Sequence, residues 1–149
     1  MTGPRTRTPP GREPLLRGQG PALAVVAAGG ALGAAVRYAL TLWWPVQPGG
    51  FPWATFWTNA VGCAVIGAFM VVVTEVRTTH PLLRPFFGTG VLGGFTTFST
   101  YAVDIRTLFG SGHPQTALAY LAATLVAALA AVALATAGTR ALLKGGNPS

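Results

Sequence analysis

The groups in this chain that could do chemistry are uncharged hydrogen-bonding side chains set inside apolar runs. Asn59 lies several residues into one run, just after Thr55 and Thr58. Another run contains Gly93-Gly94-Phe95-Thr96-Thr97-Phe98-Ser99-Thr100-Tyr101, where hydroxyls are interleaved with aromatic rings. The last run has Tyr120 and Thr124, one helical turn apart and so on one face. Polar groups in lipid are expensive, so each of these asks for a reason. For Asn59 the plain reading is an interhelical hydrogen bond, worth about 0.6 kcal/mol on average. Packing explains the 93–101 segment less well. Non-helical backbone at membrane depth survives only when buried in protein or lining a hydrated cavity, and a broken helix frees carbonyls and amides for ions. Hydroxyls, an amide NH₂ and ring edges with partial positive charge make a donor-rich lining without carboxylates. A cation path would normally show acidic residues. This is a lining for anions.

The charged residues read more plainly. Arg37, toward the end of its run, has the length to reach the membrane surface. Asp104 and Arg106 read as interfacial charges near the end of the third run. His80 and His113 fall in short Pro-containing loops with no partner at i,i+4, as surface residues do. Cys63 is alone, which excludes an intrachain disulfide and a cysteine-based metal site. With no nucleophile–base pair, phosphate loop or metal-ligand cluster, the chain does not read as an enzyme.

The elements that must position these groups follow from composition. Charged residues are 9% of the 149 and apolar ones 51%, against about 25% charged in a soluble domain. Ten basic residues face three acidic ones, a formal charge of +7. Arg5, Arg7, Arg12 and Arg17 precede the first apolar run, and Arg140 and Lys144 follow the last. Cations flanking apolar spans are a product of membrane topology. Nucleic-acid binding would need a basic patch with interleaved aromatics. The chain divides into a basic, flexible cytosolic arm over residues 1–20, a transmembrane domain over 21–140 and a short tail over 141–149. Apolar runs fall at about 22–44, 53–74, 85–108 and 115–137. The first is too long for a cleavable signal core and is read as a retained helix. Gly29, Gly30, Gly33 and Ala34, with Gly62 and Gly67, have helix-packing spacing. The expected fold is an all-α membrane protein of four transmembrane helices, the third broken at its Gly/Thr-rich segment.

Three motifs now stand in order: Gly29-Gly30-Ala31-Leu32-Gly33-Ala34-Ala35-Val36-Arg37-Tyr38, Thr58-Asn59-Ala60-Val61-Gly62, and Gly93-Gly94-Phe95-Thr96-Thr97-Phe98-Ser99-Thr100. Together they resemble the fluoride channels of the CrcB/Fluc type. The resemblance implies passive export of cytoplasmic fluoride across the cell membrane by an antiparallel dimer with two pores. It also implies one structural Na⁺ at the dimer centre, on the backbone carbonyls of Gly93 and Thr96. Asn59 would be the pore asparagine, Phe98 and Tyr101 the aromatic pair facing fluoride, and Thr97, Ser99 and Thr100 the hydroxyls beside them. Tyr120 and Thr124 would form a polar track on the fourth helix, and Arg37 would stand near the vestibule. Tyr101 departs from the usual Phe and Asp104 from the usual Glu, and Ala128 shortens the polar track.

The charge distribution adds an expectation about the partner. With the amino terminus inside, the inner side holds the four arm arginines, Arg77, Arg84, Arg140 and Lys144, and the outer side only Arg106. Such a bias sets an N-in, C-in orientation. A homodimer of opposite orientations would show little bias, so the partner is expected to be an oppositely oriented paralogue, with a second copy of the chain as the alternative. Two other classes compete. A small multidrug-resistance-like exporter needs a membrane-embedded carboxylate, and only Asp104, near a helix end, is available. A non-conducting scaffold would need the glycines alone.

Overall fold

The computed structural model describes residues 19–75 and 80–145. Five helical elements follow one another: α1 (Gly20–Trp43), α2 (Trp53–Glu75), α3, α4 (Phe98–Gly110) and α5 (Pro114–Gly145). The third has two parts, a π-helical stretch Arg84–Leu92 and a single α-turn Gly93–Phe95. No strand occurs among the described residues. By length and composition α1, α2 and α5 can each cross a membrane. Proline sets several ends. Pro21 and Pro114 sit in first turns, where no intrahelical N–H is needed, and Trp44 precedes Pro45, which disfavours further helix.

The third helix, expected over 85–108 and broken at its Gly/Thr-rich segment, is interrupted within that segment. Thr96 (φ −75°, ψ 153°) and Thr97 (φ −149°, ψ 121°) are extended and separate α3 from α4. The expected end of the last helix near residue 137 is passed, because α5 runs on to Gly145 and takes in residues 141–145 of the expected tail. Ala, Leu, Arg and Lys are good helix formers, so the helix outlasts its apolar stretch. The arm arginines and Arg77 lie outside the described residues, while Gly20, assigned to the arm, opens α1.

Two parallel helix pairs make the body: α1 packs chiefly on α3, and α2 on α5. Between α1 and α3 the backbones touch. A Cβ on Gly29 would come within 3.1 Å of the Gly90 Cα, and one on Gly90 within 2.9 Å of the Val26 carbonyl. Gly33 meets the Val91 carbonyl and Gly94 the Gly30 carbonyl in the same way. Such contacts let helices associate without a hydrophobic drive. The α2–α5 pair keeps a constant register: Gly67 abuts Val132, and the Arg140 Nε donates to Glu75 Oε1 at 3.1 Å. That ion pair is exposed and contributes only about 0–1 kcal/mol. It does place the charged ends of α2 and α5 together, away from Trp43, Trp44 and Trp53. At the tryptophan end Gly49 (φ 71°) and Gly112 (φ 80°) adopt left-handed turns that other residues resist.

Candidate functional site

The break is held from both sides. From α2, Asn59 Nδ2 donates to the Thr97 carbonyl at 3.0 Å, and the Thr97 N–H donates back to Asn59 Oδ1 at 2.8 Å. From α1, the Arg37 Nε donates to the Gly94 carbonyl at 3.2 Å. Arg37 therefore does not reach out as a free surface cation. It is half-buried and spans to the broken helix. Gly62, less than one turn after Asn59, leaves room for the Thr96 methyl, so α2 seats the break closely.

These bonds decide which backbone groups are left over. In an uninterrupted helix each carbonyl accepts from the N–H four residues on. The Gly93 carbonyl would take the Thr97 N–H, which goes to Asn59 instead. The Thr96 carbonyl would take the Thr100 N–H, which goes to Thr97 Oγ1 at 3.1 Å. Thr97 is thus the N-cap of α4, a position that favours threonine. Its hydroxyl also donates to Thr100 Oγ1 at 3.1 Å and lies 3.2 Å from Ser99 Oγ. Gly93 and Thr96 keep neutral carbonyl oxygens with no helical partner, which suits a monovalent cation.

On the α2–α5 side of the break lies a pocket of about 270 Å³. Asn59, Thr97, Phe98, Tyr101 and Thr124 line it together, with Cys63, Thr96, Leu125 and Ala128. No carboxylate lines it among the described residues. The start of α4 is there too, and a helix N-terminus carries roughly half a positive charge. Asn59 has one amide N–H beyond the one given to Thr97. Thr124 Oγ1 is buried with no partner among the described residues.

The aromatic residues run as a chain from this pocket. Ring centroids are 5.8 Å apart for Phe98–Tyr101, 5.2 Å for Tyr101–Tyr120 and 5.2 Å for Tyr120–Phe51. Phe98 is 80% exposed. The Tyr101 hydroxyl donates to the Leu121 carbonyl at 2.9 Å. Tyr120 is fully buried and its hydroxyl donates to Asp104 Oδ2 at 3.2 Å. Asp104 is accordingly more than an interfacial charge. It is half-buried beside Tyr120 and lines a neighbouring pocket with Gln47, Ser111 and His113. Arg106 is exposed.

Of the residues expected to act together, Asn59, Thr97, Phe98, Tyr101 and Thr124 share one pocket. Ser99 and Thr100 lie against the Thr97 cap, Tyr120 packs beside Tyr101, Arg37 reaches the break from α1, and Gly93 is not among the lining residues. Cys63 was missed as a lining residue, although its place one turn after Asn59 puts it on the same face.

Residues 24–136 match the family described as CrcB-like protein, Camphor Resistance (CrcB). The chain belongs to the CrcB family. Among its relatives in that family, one named Fluoride-specific ion channel FluC 1, from Streptomyces coelicolor, is 63% identical over 150 residues, covering 97% of each chain. One named Fluoride-specific ion channel FluC 2, from Streptomyces avermitilis, is 66% identical over 123 residues, covering 83% of this chain and 78% of the relative. A third, also named Fluoride-specific ion channel FluC 2, from Nocardia farcinica, is 57% identical over 118 residues, covering 79% and 84%. These names describe ion channels and not enzymes. With its three long apolar helices, this CrcB protein is a multi-pass membrane protein.

Proposed function

We propose that the chain is a fluoride-selective channel subunit through which cytoplasmic fluoride leaves the cell passively. One observation carries the reading: the positive end of α4, the Asn59 amide and the unpartnered Thr124 hydroxyl converge on a pocket without a carboxylate. The names of the relatives identify the anion as fluoride. Fluoride is small and strongly hydrated, so its water must be replaced by donors at close range. Neutral donors and ring edges do this while still letting the ion go, whereas fixed cations hold it. Asp104 stands outside this lining, engaged by Tyr120, which disfavours a proton-coupled exporter.

In this reading α3 and α4 together make the third of four spans, and two subunits pair antiparallel in the plasma membrane to give two pores. Gly93 supports a partner over the break. It is exposed, and a Cβ there would meet nothing within 4 Å, so packing inside one chain gives no reason for glycine. Phe98, exposed at the open side of the pocket, would be covered by the same subunit. The released carbonyls of Gly93 and Thr96 would hold Na⁺ at the centre, which when bound supplies the charge that ties the two breaks together. Arg84, Arg140 and Lys144 share the end expected to be cytoplasmic, so one orientation is favoured and the partner is an oppositely oriented paralogue. The numbered names of the relatives are consistent with more than one such chain in an organism.

Expression in a fluoride-sensitive bacterium tests the function, with the paralogue co-expressed. Growth in fluoride should be restored by the wild-type chain and lost with Asn59→Asp or Phe98→Ala. Equal growth with all three would leave only a scaffold. Robust flux from the purified chain alone would sink the obligate paralogue.

A further inference from the structure

Cys63 is the one cysteine of the chain, and it stands on the wall of the pocket with Asn59, Thr97, Phe98 and Thr124. It lies one turn after Asn59 on α2, so the two side chains share a face. A lone thiol in a helix is ordinarily a small apolar packing group. Two observations set this one apart. The pocket is a cavity of about 270 Å³ and Cys63 is only partly buried, so a small molecule in the cavity can touch the sulfur. On the same cavity, from α5, Thr124 is 5% exposed and its Oγ1 is buried with no partner among the described residues. A buried hydroxyl without a partner is costly and asks for a ligand that completes it. The thiol therefore stands beside the space in which the anion is read to sit.

We propose that Cys63 is a modification site in the anion path, at which a small neutral thiol-reactive electrophile closes the channel. Charge and size argue for that class. The donors and the positive end of α4 disfavour a cationic reagent, and the cavity between packed helices disfavours a bulky one. Methyl methanethiosulfonate fits both. The Cys63 sulfur, as thiolate, attacks the methylthio sulfur of the reagent. A new S–S bond forms, the S–SO₂ bond breaks, methanesulfinate leaves and the thiol proton passes to solvent. The reagent is itself the oxidant, since its sulfonyl sulfur is reduced to sulfinate as the thiol becomes a disulfide. The adduct sets a second sulfur and a methyl group among the donors. These atoms donate no hydrogen bond, so an ion that must exchange its water for close donors is stopped there.

The proposal rests on the channel reading, and one experiment separates the two. Liposomes carry the channel, with a paralogue stripped of its own cysteines, as wild type and as Cys63→Ser. Fluoride efflux and the intact mass of the chain are recorded before and after methyl methanethiosulfonate. The wild-type chain should gain one methylthio group while folded, and flux should fall about tenfold or more, the scale of one lost hydrogen bond to a charged group. Dithiothreitol, which cleaves the mixed disulfide by exchange, should remove the added mass and restore the flux together. Flux through Cys63→Ser, whatever its level, should not respond to the reagent. Where that variant does not conduct, the reversal in the wild type decides. Full labelling with unchanged flux would overturn the proposal and leave the channel reading standing, as would a thiol that reacts only after denaturation or an equal block of Cys63→Ser. No fluoride flux before labelling would overturn the channel reading, and the proposal with it.

Discussion

Asn59 and Thr97 are joined twice, amide to backbone, at 3.0 and 2.8 Å. The side chain of α2 thus does for one residue what a neighbouring strand does in a sheet, satisfying both the N–H and the C=O of an extended residue. Without it two part-buried backbone groups would lose their protein partners, and the break would tend to close into continuous helix. The same pairing frees the Gly93 carbonyl. One asparagine thus shapes the pocket and releases a carbonyl of the broken helix.

Asn59→Asp is the sharpest probe of that pairing. It keeps the acceptor for the Thr97 N–H but sets a carboxylate oxygen against the Thr97 carbonyl. Destabilisation of about 1–3 kcal/mol is expected from the broken bond, together with loss of fluoride flux. Thermal unfolding in detergent beside an efflux assay checks both, and a fully stable, conducting variant would contradict the bridge.

Arg37→Lys separates a directed donor from a generic cation. A lysine reaches the membrane surface as well as arginine does, but it has no planar Nε–H aimed at the Gly94 carbonyl. The expected result is a loss of roughly 1.5–3 kcal/mol, the range for hydrogen bonds from charged groups. Unchanged unfolding in Arg37→Lys would return Arg37 to the surface role its position in the sequence suggests.

The glycines at 93 and 94 are adjacent and should fail differently. A Cβ at Gly94 overlaps the Gly30 carbonyl, so Gly94→Ala should weaken the folded subunit by about 1–3 kcal/mol, as overpacking does. Gly93→Ala meets nothing within the chain and should leave subunit unfolding unchanged while impairing dimer formation. Gel filtration with light scattering distinguishes the two.

How far the sequence alone reaches is clear from these residues. The break was legible because four glycines and a run of hydroxyls inside one apolar stretch contradict a continuous helix. Asn59 stood out because an amide at membrane depth needs a reason. The Arg37–Gly94 and Tyr101–Leu121 bonds were not legible, since each acceptor is a backbone carbonyl, and carbonyls are identical in every residue type. Which of them lies within reach depends on helix register and crossing. The overrun of α5 to Gly145 has another cause: hydropathy marks where a lipid-facing surface would end, and helix propensity decides where the helix does.

Orientation can be read directly. A reporter active only in the cytoplasm, fused after Lys144, should give signal, and one active only outside should give none. Comparable signals from both would mean that the chain inserts both ways and pairs with itself.

The most direct measurement is ion release from liposomes loaded with fluoride and chloride and carrying the purified chain, alone and with its paralogue, followed by ion-selective electrodes. A donor-lined, carboxylate-free pocket acting as a fluoride path predicts fast fluoride release in at least one preparation, chloride retention throughout, and loss of release with Asn59→Asp. Chloride leaving as fast as fluoride, or no fluoride release from either preparation, would contradict it.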